Sequence, residues 1–288
     1  MPNKILITGA SGYLAHRLIP IATGYGEVVG TARKAESVYQ PADALSLDLL
    51  DADAIKRVVE KVRPTAIIHA AAINPGCGDE MMVGVNHHAS ATLAEVASRL
   101  GIRLVFVSSE SGYSGNAAPY SDHAIPDPSN LYGTSKVAGE QAVLSILPES
   151  VAVRTSLIYG LDKIDRGTQG FRERLKRGEP LTLFDDVLRQ PVWVDSLSHA
   201  LCRLATEFTD ITGTMNVVGD EVMSRAVFGL AMMKHWCIEA GDNVSLVSGA
   251  EIKGMQMDLR CSCERAKALG ITLPGVSEVL ALHHSDTH

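Results

Sequence analysis

The chain has 288 residues, of which 46% are hydrophobic and 20% are charged, and this is the composition of an ordinary globular protein. Its formal net charge of -7 and its isoelectric point near 5.8 argue against nucleic acid or an anionic membrane as the main partner, and they favour a small molecule. No apolar run reaches the roughly 20 residues that a membrane span needs, and no signal-peptide pattern precedes KILITGASG, so we expect a cytoplasmic protein. Five cysteines at scattered spacings favour reduced thiols over a disulfide framework.

In chain order, five short and nearly continuous apolar runs alternate with amphipathic segments. Runs of this kind indicate strands that are buried on both faces of a parallel sheet. We predict these strands at 4–8, 27–32, 65–71, 103–109 and 150–156. Between them, apolar residues recur at helical spacing in 51–63 and 87–101. The alternation predicts an α/β fold of the Rossmann type, with a doubly wound parallel sheet.

A glycine-rich turn, ITGASGYLAHRL at 7–18, follows the first predicted strand and opens the first helix. Gly9 and Gly12 have the spacing that lets backbone N–H groups approach a pyrophosphate at a helix N-terminus, and Ala15 fills the third position, where a small residue packs closely. The alternative is a plain structural turn. Because the turn joins the first strand to the first helix of a βαβ pattern, we predict that it binds a dinucleotide.

The end of the second strand bears on the choice of dinucleotide. An acidic residue about 20 positions after the glycines commonly holds the ribose 2′-hydroxyl of NAD. Here the stretch is VVGTARKAE, in which Arg33 and Lys34 would attract a 2′-phosphate. We therefore favour NADP(H) over NAD(H), the alternative being that both cations are surface charges. Asp48, after the probable third strand, would meet the adenine amino group or cap the next helix.

The regular alternation of strand and helix patterns becomes less clear after about residue 157, and this change suggests a second structural unit. We expect 1–156, together with about 192–217, to form the NADP-binding Rossmann domain. We expect 157–191 and 218–288 to form a smaller, discontinuous substrate-binding lobe that covers a cleft.

Tyr132 and Lys136 lie four residues apart at the start of a predicted helix, in LYGTSKVAGEQ. Side chains at this spacing share a helical face. A neighbouring ammonium favours phenolate and would lower the pKa of a tyrosine from about 10 towards neutrality, so that the phenol could exchange its proton near neutral pH. For an isolated pair the competing explanation is a packed ring beside a solvated lysine, and the rest of the chain must decide.

The order of short motifs along the chain resembles the extended short-chain dehydrogenase/reductase family and, within it, the dTDP-4-dehydrorhamnose reductases. The resemblance covers most of the chain and rests on TGASGYLA, LDLLD, IIHAAA, Val85-Asn86, VFVSSESGYSG, YGTSK, VRTSLIYG and RQPVWVDSL. It implies that Tyr132 is the general acid/base and that Lys136 binds the nicotinamide ribose and lowers the tyrosine pKa. It also implies that Ser109, with Ser108 as its rival, orients the substrate carbonyl. Asn86 would support a proton relay or simply cap a helix.

Further cofactor contacts are implied at the glycine-rich turn and at the ends of the neighbouring strands. The predicted cofactor-binding residues are Gly9, Ser11, Gly12, Tyr13, Leu14, Arg33, Asp48, Leu49, Ala70, Ala71 and Lys136. No closely spaced set of histidine, cysteine and carboxylate residues falls near these motifs, so we predict no metal site.

On the substrate side, the resemblance implies that Ser109 and Tyr132 contact the sugar, whereas Glu110 would either contact the sugar or stabilise the loop. Arg189, in LRQPVWV, matches a family arginine that contacts the substrate diphosphate. Dehydratases of the wider family carry Asp-Glu after the threonine as acid and base, whereas Glu110 and Ser111 hold those positions here, so the eliminating base is missing.

The chain departs from the family pattern near its C-terminus. A second family arginine is expected close to KGMQMDLR, where Lys253 or Arg260 would have to serve. Together the motifs predict an NADPH-dependent reductase of a keto group on a sugar nucleotide, with a homodimer as one expected assembly. Two alternatives stay open: a reductase or epimerase acting on another substrate, including one without a nucleotide, and a non-catalytic NADP-binding regulatory subunit resembling that of methionine adenosyltransferase.

Overall fold

A computed structural model describes residues 2–33, 44–239 and 241–284. Its strands are β1 (Lys4–Thr8), β2 (Glu27–Ala32), β3 (Leu45–Ser46), β4 (Ala66–His69), β5 (Arg103–Ser109), β6 (Val151–Thr155), β7 (Ile158–Tyr159), β8 (Leu181–Phe184), β9 (Leu188–Arg189), β10 (Val192–Trp193), β11 (Gly213–Asn216), β12 (Met223–Ser224) and β13 (Val244–Val247). Its helices are α1 (Ala15–Ala22), α2 (Ala52–Val62), α3 (Asp79–Val83), α4 (Ala89–Leu100), α5 (Leu131–Ile146), α6 (Arg166–Lys176), α7 (Val194–Thr206), α8 (Arg225–His235), α9 (Glu264–Ala268) and α10 (Val276–His284). Within the described ranges, none of these helices is long and apolar enough to cross a bilayer.

Seven strands form one parallel sheet in the spatial order β11-β6-β5-β4-β1-β2-β3. The strand order reverses between β1 and β4, and a doubly wound sheet binds its ligands at such a reversal, outside the carboxyl ends of the strands. The predicted α/β fold of the Rossmann type is confirmed. The strands predicted at 27–32 and 103–109 have the observed bounds, while those predicted at 65–71 and 150–156 are shorter in the structure.

Apolar side chains cover both faces of the sheet, as the continuous apolar runs require. Alternate residues of a strand point to opposite faces, and in β1 the side chains of Ile5 and Ile7 pack on the face that carries α1 and α7, whereas Leu6 packs on the face that carries α2 and α4. All three are fully buried. Burial of each such side chain contributes roughly 1.5–3 kcal/mol to the stability of the fold.

A very close approach between α5 and the turn ahead of α4 fixes the position of α5. This turn, Gly84–His88, is a single π-helical turn that joins α3 to α4. A Cβ atom on Gly139 would lie 2.0 Å from the backbone oxygen of Asn86, so the two segments can touch only because residue 139 has no side chain. Since α5 also carries Tyr132 and Lys136, this contact sets their height above the sheet.

The remaining strands pair outside the main sheet. β7 pairs with β10, β9 with β12, and β8 with β13. The segment 192–217 returns to the sheet, because β11 pairs with β6 and α7 packs against α1. Two smaller apolar clusters lie among the other segments, around Tyr159 and Met232 and around Leu183 and Met233. The division into a Rossmann domain and a substrate lobe stays a prediction.

Candidate functional site

A cavity of about 600 Å³ lies at the carboxyl edge of the sheet, where the strand order reverses. All the predicted cofactor-binding residues line it: Gly9, Ser11, Gly12, Tyr13, Leu14, Arg33, Asp48, Leu49, Ala70, Ala71 and Lys136. Ser109, Tyr132 and Glu110 line the same cavity. Asn86 and Arg189 do not, although both are buried and each contacts a residue that does, Asn86 through Ile73 and Arg189 through Glu110.

The glycine-rich turn after β1 forms one end of the cavity. Gly9 has a φ of 78°, which favours glycine, and a Cβ atom there would lie 2.8 Å from the Cα atom of Ala71. The backbone N–H of Gly12 donates to the oxygen of Gly9 at 2.8 Å, and α1 begins at Ala15. The turn is therefore a tight cradle that leaves the N-terminus of α1 directed at the cavity, as a pyrophosphate site requires.

Arg33 and Asp48 form the outer part of the same wall. Arg33 is exposed, and its guanidinium lies 3.4 Å from the sulfur atom of Met81. Lys34, the second cation of the predicted NADP motif, lies outside the described residues. The alternative that Asp48 caps the next helix is wrong, because the N-cap of α2 is Asp51. Asp48 instead accepts a hydrogen bond from the backbone N–H of Leu50 at 3.0 Å.

Tyr132 and Ser109 face each other across the cavity from α5 and the end of β5. Successive residues of a strand point to opposite faces, so only one of the two neighbouring serines can face the cavity; Ser109 lines it, and Ser108 is buried elsewhere. The expectation that Lys136 lowers the pKa of Tyr132 is wrong for this structure. Burial raises that pKa, while a hydrogen bond with Ser109 opposes the rise and the charge of Glu110 adds to it.

Lys136 is buried and unpaired. Its side chain is among the largest fully buried ones, and its Nζ atom has no hydrogen-bond partner within the described part of the chain. The Nζ atom lies 4.2 Å from the centroid of the Phe106 ring. Burial lowers the lysine pKa to about 7, and the charge of Glu140 opposes that fall. An ammonium in such a position has its donors available for a bound molecule.

A row of hydrogen bonds runs behind the cavity. The backbone N–H of Ala71 donates to Thr8 Oγ1 at 3.3 Å, and Thr8 Oγ1 lies 2.7 Å from His69 Nδ1. On the other side of the ring, His69 Nε2 lies 3.0 Å from Ser90 Oγ, which itself donates to the backbone oxygen of Asn86. Because the Ser90 proton is used there, Nε2 of His69 must carry the ring proton and Nδ1 must accept from Thr8. Burial and the charge of Lys136 lower the pKa of His69 to about 3, so the ring stays neutral.

Asn86 holds the loop after β4 against α5. Its side-chain oxygen accepts from the backbone N–H of Ile73 at 2.8 Å, and its amide nitrogen donates to the Ile73 oxygen and to Ser135 Oγ, each at 3.0 Å. Ser135 donates in turn to the backbone oxygen of Tyr132 at 2.8 Å. The alternative that Asn86 caps a helix is therefore wrong, because its side chain is committed to other segments. Its role in a proton relay stays a prediction.

Glu110 and Arg189 form a buried pair at the base of the substrate side. Arg189 Nε lies 3.3 Å from Glu110 Oε1, and the same guanidinium donates to the backbone oxygens of Leu188 and Gln256. Glu110 Oε2 has no hydrogen-bond partner among the described residues. Burial raises the pKa of Glu110 to about 7, although Arg189 opposes the rise. Arg189, predicted to contact the substrate diphosphate, thus lies behind the cavity wall.

Arg166 and Arg225 are cations in the cavity wall that the sequence analysis missed. Arg225 begins α8, and no hydrogen bond or ion pair of its guanidinium is found in the described ranges. Arg166 begins α6, whose N-cap Asp165 accepts from the backbone N–H of Thr168 at 3.0 Å. The DRGT pattern could have indicated this helix start, but no pattern marks residue 225. The expected alternatives, Lys253 and Arg260, do not line the cavity.

The chain is similar to known proteins over most of its length. The family model described as RmlD substrate binding domain matches residues 3–258. A dTDP-4-keto-6-deoxy-D-glucose reductase of Streptomyces niveus is 32% identical over 214 residues, which are 71% of this chain and 69% of the relative. The methionine adenosyltransferase 2 subunit beta of Danio rerio is 25% identical over 286 residues, which are 94% of this chain and 86% of the relative.

Solved structures share the fold over almost the whole chain. The dTDP-4-dehydrorhamnose reductase of Bacillus anthracis in complex with NADP has a TM-score of 0.84 at 23% identity, and the match covers 100% of both chains. The Bordetella bronchiseptica enzyme WbmG in complex with NAD has a TM-score of 0.80 at 21% identity, and the match covers 95% of this chain and 89% of the other.

Among residues 2–33, 44–239 and 241–284, no group of three histidine, cysteine or carboxylate residues could hold a metal ion.

The buried neutral ring of His69 makes stability depend on pH. Its pKa is lowered from 6.5 to about 3 on folding, so the unfolded chain binds the extra proton and this part of the stability is lost as the pH falls below about 6.5. In denaturant titrations, we expect the stability advantage of the native chain over His69→Gln to narrow by about 2 kcal/mol between about pH 7.5 and about pH 5. His123→Gln, at an exposed histidine, is the control and should follow the native chain. A gap for His69→Gln that stays constant over this range would contradict the assignment.

Proposed function

This chain belongs to the family described by the RmlD substrate-binding domain, and from that premise we propose that it is an NADPH-dependent reductase of a keto group on a sugar nucleotide. One observation carries the proposal. The glycine-rich turn, the Tyr132–Lys136 pair and the cation Arg225 line a single cavity. That combination suits a dinucleotide at one end, proton transfer in the middle and an anionic substrate at the other end.

The fit of a nicotinamide dinucleotide is supported by two features. A side chain at Gly9 would clash with the backbone of Ala71, so the glycine lets the turn close tightly ahead of α1, whose N-terminus suits a pyrophosphate. The buried Nζ atom of Lys136 has no partner in the described part of the chain, and it would donate to the hydroxyl oxygens of the nicotinamide ribose. A reduced nicotinamide supplies a hydride when it is bound.

In this mechanism Tyr132 gives a proton to the carbonyl oxygen of the substrate. Since burial raises its pKa, the phenol keeps its proton throughout the neutral range until negative charge develops on the substrate oxygen. Ser109 shares a hydrogen bond with Tyr132 and would donate to the same oxygen, which stabilises that charge. Asn86 and Ser135 hold the backbone of Tyr132 and so keep the phenol in position.

The nucleotide end of the substrate would lie against Arg225. Guanidinium groups bind phosphate through paired N–H donors. The Arg225 guanidinium lies over the Phe184 ring, with its Cζ atom 5.9 Å from the ring centroid, and no hydrogen bond or ion pair in the described ranges competes for its donors. Burial lowers its pKa, and the charge of Glu110 opposes that fall. An arginine guanidinium is charged at neutral pH in proteins. Phe171 and Phe228 line the same end and offer apolar surface for a sugar or a base.

A preference for NADPH over NADH is supported by Arg33. Its exposed guanidinium lines the cavity just after β2, where the ribose 2′ position of a dinucleotide lies in this fold. The other strand-end residue, Asp48, accepts a hydrogen bond from the backbone N–H of Leu50 and does not occupy the end of β2.

Cytoplasmic location and assembly as a homodimer stay predictions.

A regulatory subunit is the second candidate, because the match to a methionine adenosyltransferase subunit covers 94% of this chain. In that case the cavity would hold a dinucleotide without turning it over. If the purified protein oxidises NADPH only when a keto-sugar nucleotide is present, it is a reductase. If it binds NADPH without turnover and co-purifies with another enzyme, it is a regulatory subunit.

Removal of the phenol hydroxyl tests the mechanism. We expect Tyr132→Phe to lower kcat for a dTDP-4-keto-6-deoxyhexose by roughly 10²- to 10⁴-fold, because general acid catalysis is lost. Absorbance decay of NADPH measures turnover, and fluorescence titration should give a nearly unchanged Kd for NADPH. Tyr25→Phe, in which the lost hydroxyl bonds His199 on the surface, is the control. Unchanged turnover in Tyr132→Phe would refute the mechanism.

Loss of the Arg225 guanidinium tests the substrate end. We expect Arg225→Met to raise KM for the sugar nucleotide by roughly tenfold or more, because a charge-assisted hydrogen bond contributes roughly 1.5–3 kcal/mol. The Kd for NADPH should not change. Arg174→Met, which removes a half-exposed cation on α6 outside the cavity, is the control. If the two variants have the same KM, the diphosphate does not lie at Arg225.

The choice of cofactor is tested at Arg33. We expect Arg33→Gln to reduce the ratio of kcat/KM for NADPH to that for NADH by roughly 10- to 100-fold, because the contact with the 2′-phosphate is lost. Arg57→Gln, at an exposed cation on α2, controls for the change in net charge. If the native enzyme has the same kcat/KM for NADH as for NADPH, the proposed preference for NADPH is refuted without any variant.

A further inference from the structure

Lys136 has a potential ion-pair partner on its own helix that it does not use. Glu140 lies four residues further along α5, at the spacing where lysine and glutamate side chains of a helix can meet. Both side chains are buried. No ion pair joins them, and the Nζ atom of Lys136 has no hydrogen-bond partner in the described residues.

Arg154 on β6 holds the Glu140 carboxylate instead. Its Nε atom donates to Oε2 of Glu140 at 3.0 Å, and its Nη2 atom donates to Oε1, so both carboxylate oxygens are engaged. The exposed fractions of the two side chains are 4% and 3%. This two-pronged pairing is the strongest geometry available to a carboxylate and an arginine.

The guanidinium of Arg154 is itself fixed from the other side. It donates to the hydroxyl of Tyr113 and, at 3.4 Å each, to the backbone oxygens of Asp122 and Ala124. Its Cζ atom lies 5.1 Å from the centroid of the Tyr113 ring, which stacks on Tyr120 at a centroid distance of 4.0 Å. Arg154 therefore cannot follow Glu140 if that side chain turns towards Lys136.

We propose that Arg154 is a positioning residue for the reaction: by holding both oxygens of Glu140, it keeps that carboxylate away from Lys136 and leaves the lysine ammonium for the cofactor and Tyr132. The inference rests on the proposed function only for the identity of the bound molecules. The other titratable groups that face Lys136 are Tyr132 on its own helix and His69 on β4, and the His69 ring is neutral. Among the described residues, Glu140 is the carboxylate whose charge acts on Lys136.

The test compares Arg154→Met with the double variant Arg154→Met/Glu140→Gln. In the single variant, Glu140 loses its partner and turns to Lys136, so we expect the pKa of Lys136 to rise by about one unit or more. The Kd for NADPH should rise by roughly tenfold, the equivalent of one pKa unit. In the double variant no carboxylate remains to capture the lysine, and both quantities should return towards their native values.

The pKa of Lys136 is measured by NMR on the full chain with isotope-labelled lysine, the signal being assigned from its absence in Lys136→Met. If the single and the double variants have the same Lys136 pKa, Arg154 has only a structural role and the proposal is overturned. If Arg154→Met does not fold, Arg154→Lys serves instead. A lysine there can hold one oxygen of Glu140, and it should give a smaller rise of the same sign, whereas no rise would overturn the proposal.

The NMR titration needs neither substrate nor turnover. A chain that reduces no sugar nucleotide can therefore still give the expected shift of Lys136, which would refute the proposed function and leave the role of Arg154 intact. Conversely, an active reductase in which the Lys136 pKa is the same in all variants would refute only the role of Arg154.

Discussion

The row of hydrogen bonds behind the cavity is the constraint on which the site depends. It runs from Ala71 through Thr8 and His69 to Ser90 and Asn86. Each hydroxyl in it donates once and accepts once, and each nitrogen of the His69 ring makes one hydrogen bond. Leaving one of these buried groups unpaired costs roughly 1–3 kcal/mol, so β1, β4 and the turn ahead of α4 cannot shift independently. The glycine-rich turn follows β1, and α5 packs on the turn ahead of α4. The row of hydrogen bonds therefore also fixes the distance between the glycine-rich turn and α5.

On the cavity side of this row, by contrast, several polar groups have no hydrogen-bond partner among the described residues. Lys136 Nζ and Glu110 Oε2 are buried without a hydrogen-bond partner in the described part of the chain, and no hydrogen bond of the Arg225 guanidinium is found there. Burial of unsatisfied groups weakens a fold, and native proteins concentrate such groups where a ligand can satisfy them. Buried polar atoms without a partner in the described ranges also occur away from the cavity, for example at Ser108, Thr155 and Trp236, so it is the position of Lys136 and Glu110 in the cavity wall that makes them available to a bound molecule.

The sequence predicts the part of the site that follows from short-range pattern. Alternation along β5 separates Ser109 from Ser108, helical spacing unites Tyr132 with Lys136, and the carboxyl ends of parallel strands bring these groups to one edge. Features of the site that depend on packing between distant segments could not be predicted from the sequence. The pKa of Tyr132 depends on how deeply the phenol is buried, and the replacement of Arg189 by Arg225 in the cavity wall depends on how the segments after 157 pack, which no local pattern encodes.

Tyr13 connects the glycine-rich turn to the segment that precedes α6. It follows Gly12 in the turn, and its hydroxyl donates to the backbone oxygen of Lys163 at 2.8 Å, just ahead of α6, whose first residue lines the same cavity. The hydrogen bond joins two parts of the cavity wall that are about 150 residues apart in the sequence. A displacement of the turn is therefore passed mechanically to the segment ahead of α6, and these two parts of the wall move together.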